Sequence, residues 1–467
     1  MKIISKIFKL LPVLVLVLGL NSCNDDDDGN DNQACTADAG TLTADATPVS
    51  TTAGIAVISA TPDGNISVPA NYEVTYVLTT GPNLVIVDAG PNPSFEVGGM
   101  SSKTTYTIHT LVAETSDSND PNYLDLGVIV PGTTTGGDVL GIITDNELCA
   151  DLDVVGAPIE VIISILDIAD AFGLTILSDA LELSGLDAAI DGFLRNGDEF
   201  TVFAPNNDAF VALLDSNPEW NSLEDIPADV LEAVLLYHVL GSTQAAQDFI
   251  GAGEGYANTL SANGPESNNL SVYFRVADGA VQLNGGNTAN IGANVILPDT
   301  NLGNGIIHVI DGVLLLPTIA DFATANPALA NLVAALLRAD EGTNPINWIN
   351  TVSDPSVTLT VFGPVNDAFG QLLSDLGVSG LDEVAPEAVN GILALHVINA
   401  ANIRSEDLPT ESTNVTTLGG DITVEGTVIT DGGDNTINIL ANLGLVDIQA
   451  VNGVVHVVDY VIRSAVE

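Results

Sequence analysis

Thr201-Val202-Phe203-Ala204-Pro205-Asn206-Asn207-Asp208-Ala209-Phe210 recurs as Thr360-Val361-Phe362-Gly363-Pro364-Val365-Asn366-Asp367-Ala368-Phe369, with eight of ten positions identical. A repeat of that quality marks two copies of one structural unit. Downstream, Leu231, Val234, Leu235 and His238 recur as Val389, Ile392, Leu393 and His396. Both sets fall at i, i+3, i+4 and i+7, one face of a helix, and a proline, Pro227 or Pro386, opens each helix. A third block closes each copy: Asn304-Gly305-Ile306-Ile307-His308-Val309-Ile310-Asp311 matches Asn452-Gly453-Val454-Val455-His456-Val457-Val458-Asp459. These read as strands opened by Asn-Gly turns.

The local chemistry of the first block is that of a strand-to-helix corner. An apolar strand, Phe200 to Phe203 or Leu359 to Phe362, runs into proline and then into Asn-Asp at a helix start. There a short acceptor satisfies free backbone N–H groups and an acid suits the dipole. Phe210, Leu213 and Leu214, or Phe369, Leu372 and Leu373, then form the stripe expected to be buried.

Three ordered blocks, each found twice, resemble the fasciclin domain, whose hallmarks are a TVFAP-N-x-AF block, a tyrosine-histidine block and a terminal NG-x-x-H-V-x-D block. The resemblance covers residues 160–316 and 317–465, about two thirds of the chain. It implies the family's compact α/β fold, a β-wedge with packed helices, and its general role in adhesion between cells or to an extracellular matrix. In the family the tyrosine-histidine block is implicated in receptor contacts. Tyr237-His238 matches that block, whereas the second copy has Leu395-His396. The resemblance therefore makes Tyr237 and His238 the candidate binding residues; the other reading is that both pack inside. The second copy also closes as Asp459-Tyr460-Val461-Ile462-Arg463, so only the first reaches the family's leucine-proline close, at Pro317.

Four of the five histidines, His238, His308, His396 and His456, are repeat-matched and each precedes valine. Each lies among Ile, Leu and Val, and no HExxH, CxxC, GxSxG or P-loop spacing occurs in the chain. A neutral histidine donates with one ring nitrogen and accepts with the other. All four are expected to be structural ties, with no metal, no cofactor and no enzymatic activity.

The chain has 467 residues, with 9 Lys+Arg against 61 Asp+Glu and a formal net charge of -52. So few cations cannot neutralise phosphates, which excludes nucleic acid and anionic headgroups as partners. Lys2, Lys6 and Lys9 precede the apolar run Leu10 to Leu20, the layout of a secretory signal over residues 1–22. Leu20-Asn21-Ser22-Cys23 resembles a bacterial lipobox, which makes Cys23 the expected acylated residue. Residues 23–34 read as an acidic disordered tether. Such an acidic run resembles the export signal that sends lipoproteins of the Bacteroidetes to the outer face of the outer membrane. The run nearly spells a calcium loop, but Cys35 stands where a bidentate Glu is required. Removing residues 1–22 takes three Lys and no acids, which leaves 6 minus 61, or -55.

Cys35 and Cys149 remain as an even pair in an exported chain and are expected to form a disulfide. Between them the pattern has period two, as in Tyr72 to Thr79, Leu84 to Val87 and Thr105 to Val112, with turns at Asp63-Gly64, Gly81-Pro82 and Gly90-Pro91. This predicts an all-β, antiparallel sandwich over residues 35–158, followed by fasciclin-type domains over 159–316 and 317–467. His109, alone in an alternating strand, is expected to be hydrogen-bonded and not a ligand. The expected function is that of a lipid-anchored adhesin on the outer-membrane surface. Its partner would be a cell-surface or matrix protein or glycan, homophilic or heterophilic, with divalent cations as non-specific mediators. A surface glycan-binding lipoprotein is the alternative.

Overall fold

The computed structural model describes residues 35–464, apart from 101–102, 197, 288–290, 303–304 and 344–345. The signal, Cys23 and the tether lie outside the described residues. Among the described residues no single helix is long and apolar enough to cross a membrane.

In the N-terminal unit, alternation folds as the period predicts. A three-stranded sheet of Leu42–Ala44, Ile55–Pro62 and Ser94–Gly98 faces a larger one. The larger sheet orders Val49–Ser50, Ala157–Ile162, Thr104–Ala113, Glu73–Thr80 and Val85–Gly90, with Asp151–Leu152 beside Thr104–Ala113. Ile58, Phe95 and Val97 from one sheet meet Leu78, Ile108, Ile159 and Val161 from the other in a shared core. Cys35 and Cys149 are disulfide-bonded across 114 residues.

Three features depart from the all-β, antiparallel expectation. Val49–Ser50 pairs in parallel with Ala157–Ile162. That last strand runs past the expected boundary at residue 158. A helix, Gly136–Asp145, covers the outer face of the larger sheet, seating Val139 and Ile143 against Val77, Ile86 and Leu111. Its start was legible: Thr135 caps the Asp138 N–H, and Asp138 returns a bond to the Thr135 N–H.

In the first copy, the strand Phe200–Pro205 lies in a seven-stranded sheet. The order is Val239–Leu240, Phe200–Pro205, Gly305–Ile310, Ala293–Asn301, Ala280–Leu283, Ser271–Ala277, Glu254–Asn258. The second copy divides its strands between two four-stranded sheets: Val397–Asn399, Leu359–Pro364, Gly453–Val458 and Ile448–Ala450 in one, and Thr413–Thr417, Gly420–Glu425, Val428–Thr430 and Thr436–Asn438 in the other. In both copies the first and third blocks are parallel neighbours, with Phe203 opposite His308 and Phe362 opposite His456. Such a pairing needs a long crossover, which is why the blocks lie far apart in sequence. The glycine opening each third block permits the approach, since a Cβ on Gly305 would overlap the Phe200 ring and one on Gly453 the Leu359 carbonyl.

In each copy helices cover the face of the sheet that carries Val202 or Val361. Phe210 and Leu213 are buried with Leu231, Val234 and Leu235 in the first copy. Phe369 and Leu372 are buried with Val389, Leu393 and Trp348 in the second. The cap lies one residue before the Asn-Asp pair expected to supply it, and in one copy alone: Asn206 accepts the Ala209 N–H at 2.9 Å, whereas Val365 caps nothing. The shared asparagine acts as a strut instead. Asn207 accepts from Ile176 N and donates to Gly173 O, and Asn366 accepts from Asn331 N and donates to Pro327 O.

Candidate functional site

The three blocks converge in each copy, so the site suggested by sequence is one place built twice. The Phe203 N–H donates to the His238 carbonyl at 2.9 Å, and the Phe362 N–H to the His396 carbonyl at the same distance. Phe203 stacks on His308 with centroids 5.7 Å apart, and Phe362 on His456 at 5.9 Å.

Each histidine ends its helix or sits in its strand with both nitrogens engaged. His238 Nδ1 donates to Val234 O at 2.7 Å, and its Nε2 accepts the Leu314 N–H at 2.9 Å. His396 repeats this with Ile392 O at 2.8 Å and the Ile462 N–H at 2.9 Å. His308 donates from Nε2 to Gln244 O and accepts the Asp299 N–H at Nδ1. His456 does the same with Ile403 O and Asp447 N. A carbonyl can only accept, which fixes each tautomer as neutral. Burial pushes His238 and His396 down to about 4 and lowers His308 and His456 in the same direction.

Tyr237 and His238 are 0% and 2% exposed. The Tyr237 hydroxyl donates to Ser271 O at 2.7 Å and accepts from Asn284 Nδ2 at 3.0 Å. Neither side chain presents an atom at the surface of the folded domain. His109 is also buried, set between Thr79 Oγ1 and Asp153 O at 2.8 Å each. Among the described residues no group of three or more His, Cys, Asp or Glu is placed to hold a metal ion.

Repeat-matched polar residues that the sequence reading passed over serve the same purpose. Thr201 Oγ1 donates to Ser242 O and accepts the Gln244 N–H; Thr360 Oγ1 does so with Ala401 O and Ile403 N. Asp311 takes both the backbone and side-chain N–H groups of Asn294, and Asp459 those of Asn438. For the two threonines the available signal was an identical polar residue inside an otherwise apolar strand. Such a residue must be satisfied internally once buried.

With the motifs turned inward, the surface is left to carboxylates. Lys103 pairs with Glu160, Arg338 with Glu341, Arg404 with Asp447 and Arg463 with Asp375. The Arg275 Nε donates to Gln282 Oε1. Of the two tryptophans that could offer a platform for a sugar ring, Trp348 is fully buried and Trp220 half-buried.

The fasciclin-domain model matches residues 172–317 and 330–464. The chain belongs to the fasciclin-domain family. It is 40% identical over 119 residues to Protein sll1483 of Synechocystis sp., covering 25% of this chain and 56% of that protein. It is 28% identical over 277 residues to human periostin, covering 56% of this chain and 28% of periostin. A fasciclin-like arabinogalactan protein of Arthroderma benhamiae is 26% identical over 259 residues, which cover 47% of this chain and 56% of that protein. The chain thus spans little more than half, or less, of these relatives. Among solved structures, the FAS1 domain pair of the insect cell adhesion molecule fasciclin I overlays with a TM-score of 0.39 at 18% identity. That overlay covers 63% of this chain and 97% of the pair.

Proposed function

We propose that this fasciclin-family chain is a surface adhesin. Cys23 carries a lipid anchor at the outer membrane, residues 24–34 form the tether, and the N-terminal unit is a β-sandwich spacer. The two fasciclin-type domains face outward and bind other cells or extracellular matrix without enzymatic activity. The observation that carries this reading is the tandem match to the fasciclin domain. Two copies on one chain convert weak contacts into avidity through effective concentration. The inward-facing motifs move the binding surface off Tyr237 and His238 and onto the exposed acidic faces, where divalent cations mediate contact between like-charged partners. Burial of Trp348 leaves only the half-buried Trp220 to stack on a glycan, which favours protein contact.

The test is aggregation of beads or cells coated with the full exported chain, in millimolar calcium and in chelator. Calcium-dependent clustering that needs both fasciclin-type domains is the expected result. No clustering, or equal clustering with either domain deleted, defeats the proposal. Capture on a glycan array in place of clustering would favour the glycan reading.

A further inference from the structure

Tyr237 differs between the copies, and what it touches explains why. The strand Ser271–Ala277 turns Val272 and Phe274 into the first copy's own core beside Tyr237. Tyr273 on its other face belongs to the second copy's core, with Phe322 and Ile448. Beside it, Ser271 Oγ accepts the N–H of Gln449, a second-copy residue 178 positions away, at 3.0 Å. Gln449 is fully buried. Its Nε2 donates to Asn402 Oδ1 and Gly453 O, and its Oε1 accepts from Arg404 Nη1. Tyr256 completes the seam, with its ring edge-on to Phe322 at 5.5 Å and its hydroxyl accepting from Asn326 Nδ2 at 3.1 Å.

Tyr237 grips this strand from behind. Its hydroxyl binds the carbonyl of Ser271, the residue that receives Gln449. The same hydroxyl accepts from Asn284, whose Oδ1 holds the Tyr273 N–H at 3.0 Å. One buried hydroxyl therefore holds Ser271 directly and Tyr273 through Asn284, two of the three residues named on the first copy's side of the seam. In the second copy the corresponding strand is Gly420–Glu425, which likewise lies between its two hairpin neighbours. Ile422 and Val424 point into the core with Leu395, while Asp421 and Glu425 are exposed and Thr423 is half-buried. No described domain covers that face, and an apolar Leu395 fills the place behind it.

We infer that Tyr237 is a positioning residue for the junction between the two fasciclin-type domains. The tyrosine of the tyrosine-histidine block, through Ser271 and Asn284, shapes an intramolecular docking face whose partner is the Ile448–Ala450 edge of the second copy. The two domains then melt and reorient as one body, which fixes the spacing of whatever surfaces they present.

The test is calorimetry and small-angle scattering on the full exported chain. Wild type should show the two fasciclin-type domains unfolding in one transition, with a narrow, compact scattering profile. Tyr237→Phe keeps the ring and removes the hydroxyl, and should split that transition in two and broaden the scattering profile. Gln449→Ala, on the far side of the seam, should do the same, and the double variant should add nothing to either. Phe210→Leu, which thins the first copy's core away from the seam, should lower the melting temperature without splitting the transition. The inference is overturned if Tyr237→Phe lowers the melting temperature with one transition retained, if its effect adds fully to that of Gln449→Ala, or if Phe210→Leu splits the transition too. Should Tyr237→Phe fail to fold, Asn284→Ala, which cuts the link from the Tyr237 hydroxyl to the Tyr273 N–H, serves the same comparison, and a single transition there also overturns it.

Discussion

The two fasciclin-type copies share the histidine, threonine and aspartate contacts that join their three blocks, and differ in a helix cap, in one core residue and in the continuity of the sheet. His238 and His396 make the same pair of bonds, as do His308 and His456, Thr201 and Thr360, and Asp311 and Asp459. Against that, Asn206 caps a helix where Val365 does not, Tyr237 stands where the second copy has Leu395, and one continuous sheet stands where the second copy has two. Identity between the copies therefore reports internal chemistry, and difference reports position along the chain. A repeated motif is a poor guide to a binding surface when its residues are buried in both repeats.

The largest test of that equivalence is truncation of the stacked phenylalanines. Phe203→Ala and Phe362→Ala should each cost about 3–5 kcal/mol in their own domain, the range for a fully buried ring. Urea unfolding of each variant, read as the loss from the one transition the two domains share, checks this, and a difference of more than about 2 kcal/mol between the two variants would break the symmetry.

Acid should strike both copies together. His238 and His396 are held neutral with folded values of about 4, below the unfolded value of about 6.5. As pH falls below 6.5 the unfolded chain takes up the proton first. Stability is therefore full above that value and is lost down to about pH 4, where the folded state also protonates. Each group should cost on the order of 2 kcal/mol at pH 5. Replacing His238 by Gln should reduce the acid slope by one histidine's share and leave those of His396, His308 and His456; an unchanged slope would show that another group controls it.

The cap supplies a smaller comparison. Asn206→Ala should cost about 1 kcal/mol, and Val365→Asn should add up to a similar amount to the second copy. Thermal melts of the two variants give opposite signs if the asymmetry is a missing cap. The smallest effect is that of salt. Screening shortens from about 10 Å at 0.1 M to about 3 Å at 1 M, so the melting temperature of this acidic chain should rise by a few degrees with salt or millimolar divalent cation. A flat response would mean that the carboxylates already lie too far apart to repel.

Most of the fold was legible because its signals are local. Period-two alternation marked Glu73–Thr80 and Thr104–Ala113, and the helical spacing of Leu231, Val234 and Leu235 marked their helix. The helix Gly136–Asp145 was missed although Thr135 and Asp138 spell a capping box, because a short helix among strands offers little periodicity. The role of Asn366 was misread because a strut and a cap use the same short side chain, and only the neighbouring chain distinguishes them.

By itself the sequence determined the duplication, the family, the neutral histidine ties and the acidic surface. Each of these is written in residue identity, spacing or charge. Only the tertiary structure decided that Tyr237 and His238 are inside, and that Ser271 meets Gln449 across a junction. Burial and partnership depend on which surfaces distant segments bring together. The same tyrosine would read identically on a strand facing water, and no spacing along one chain encodes what the second copy covers.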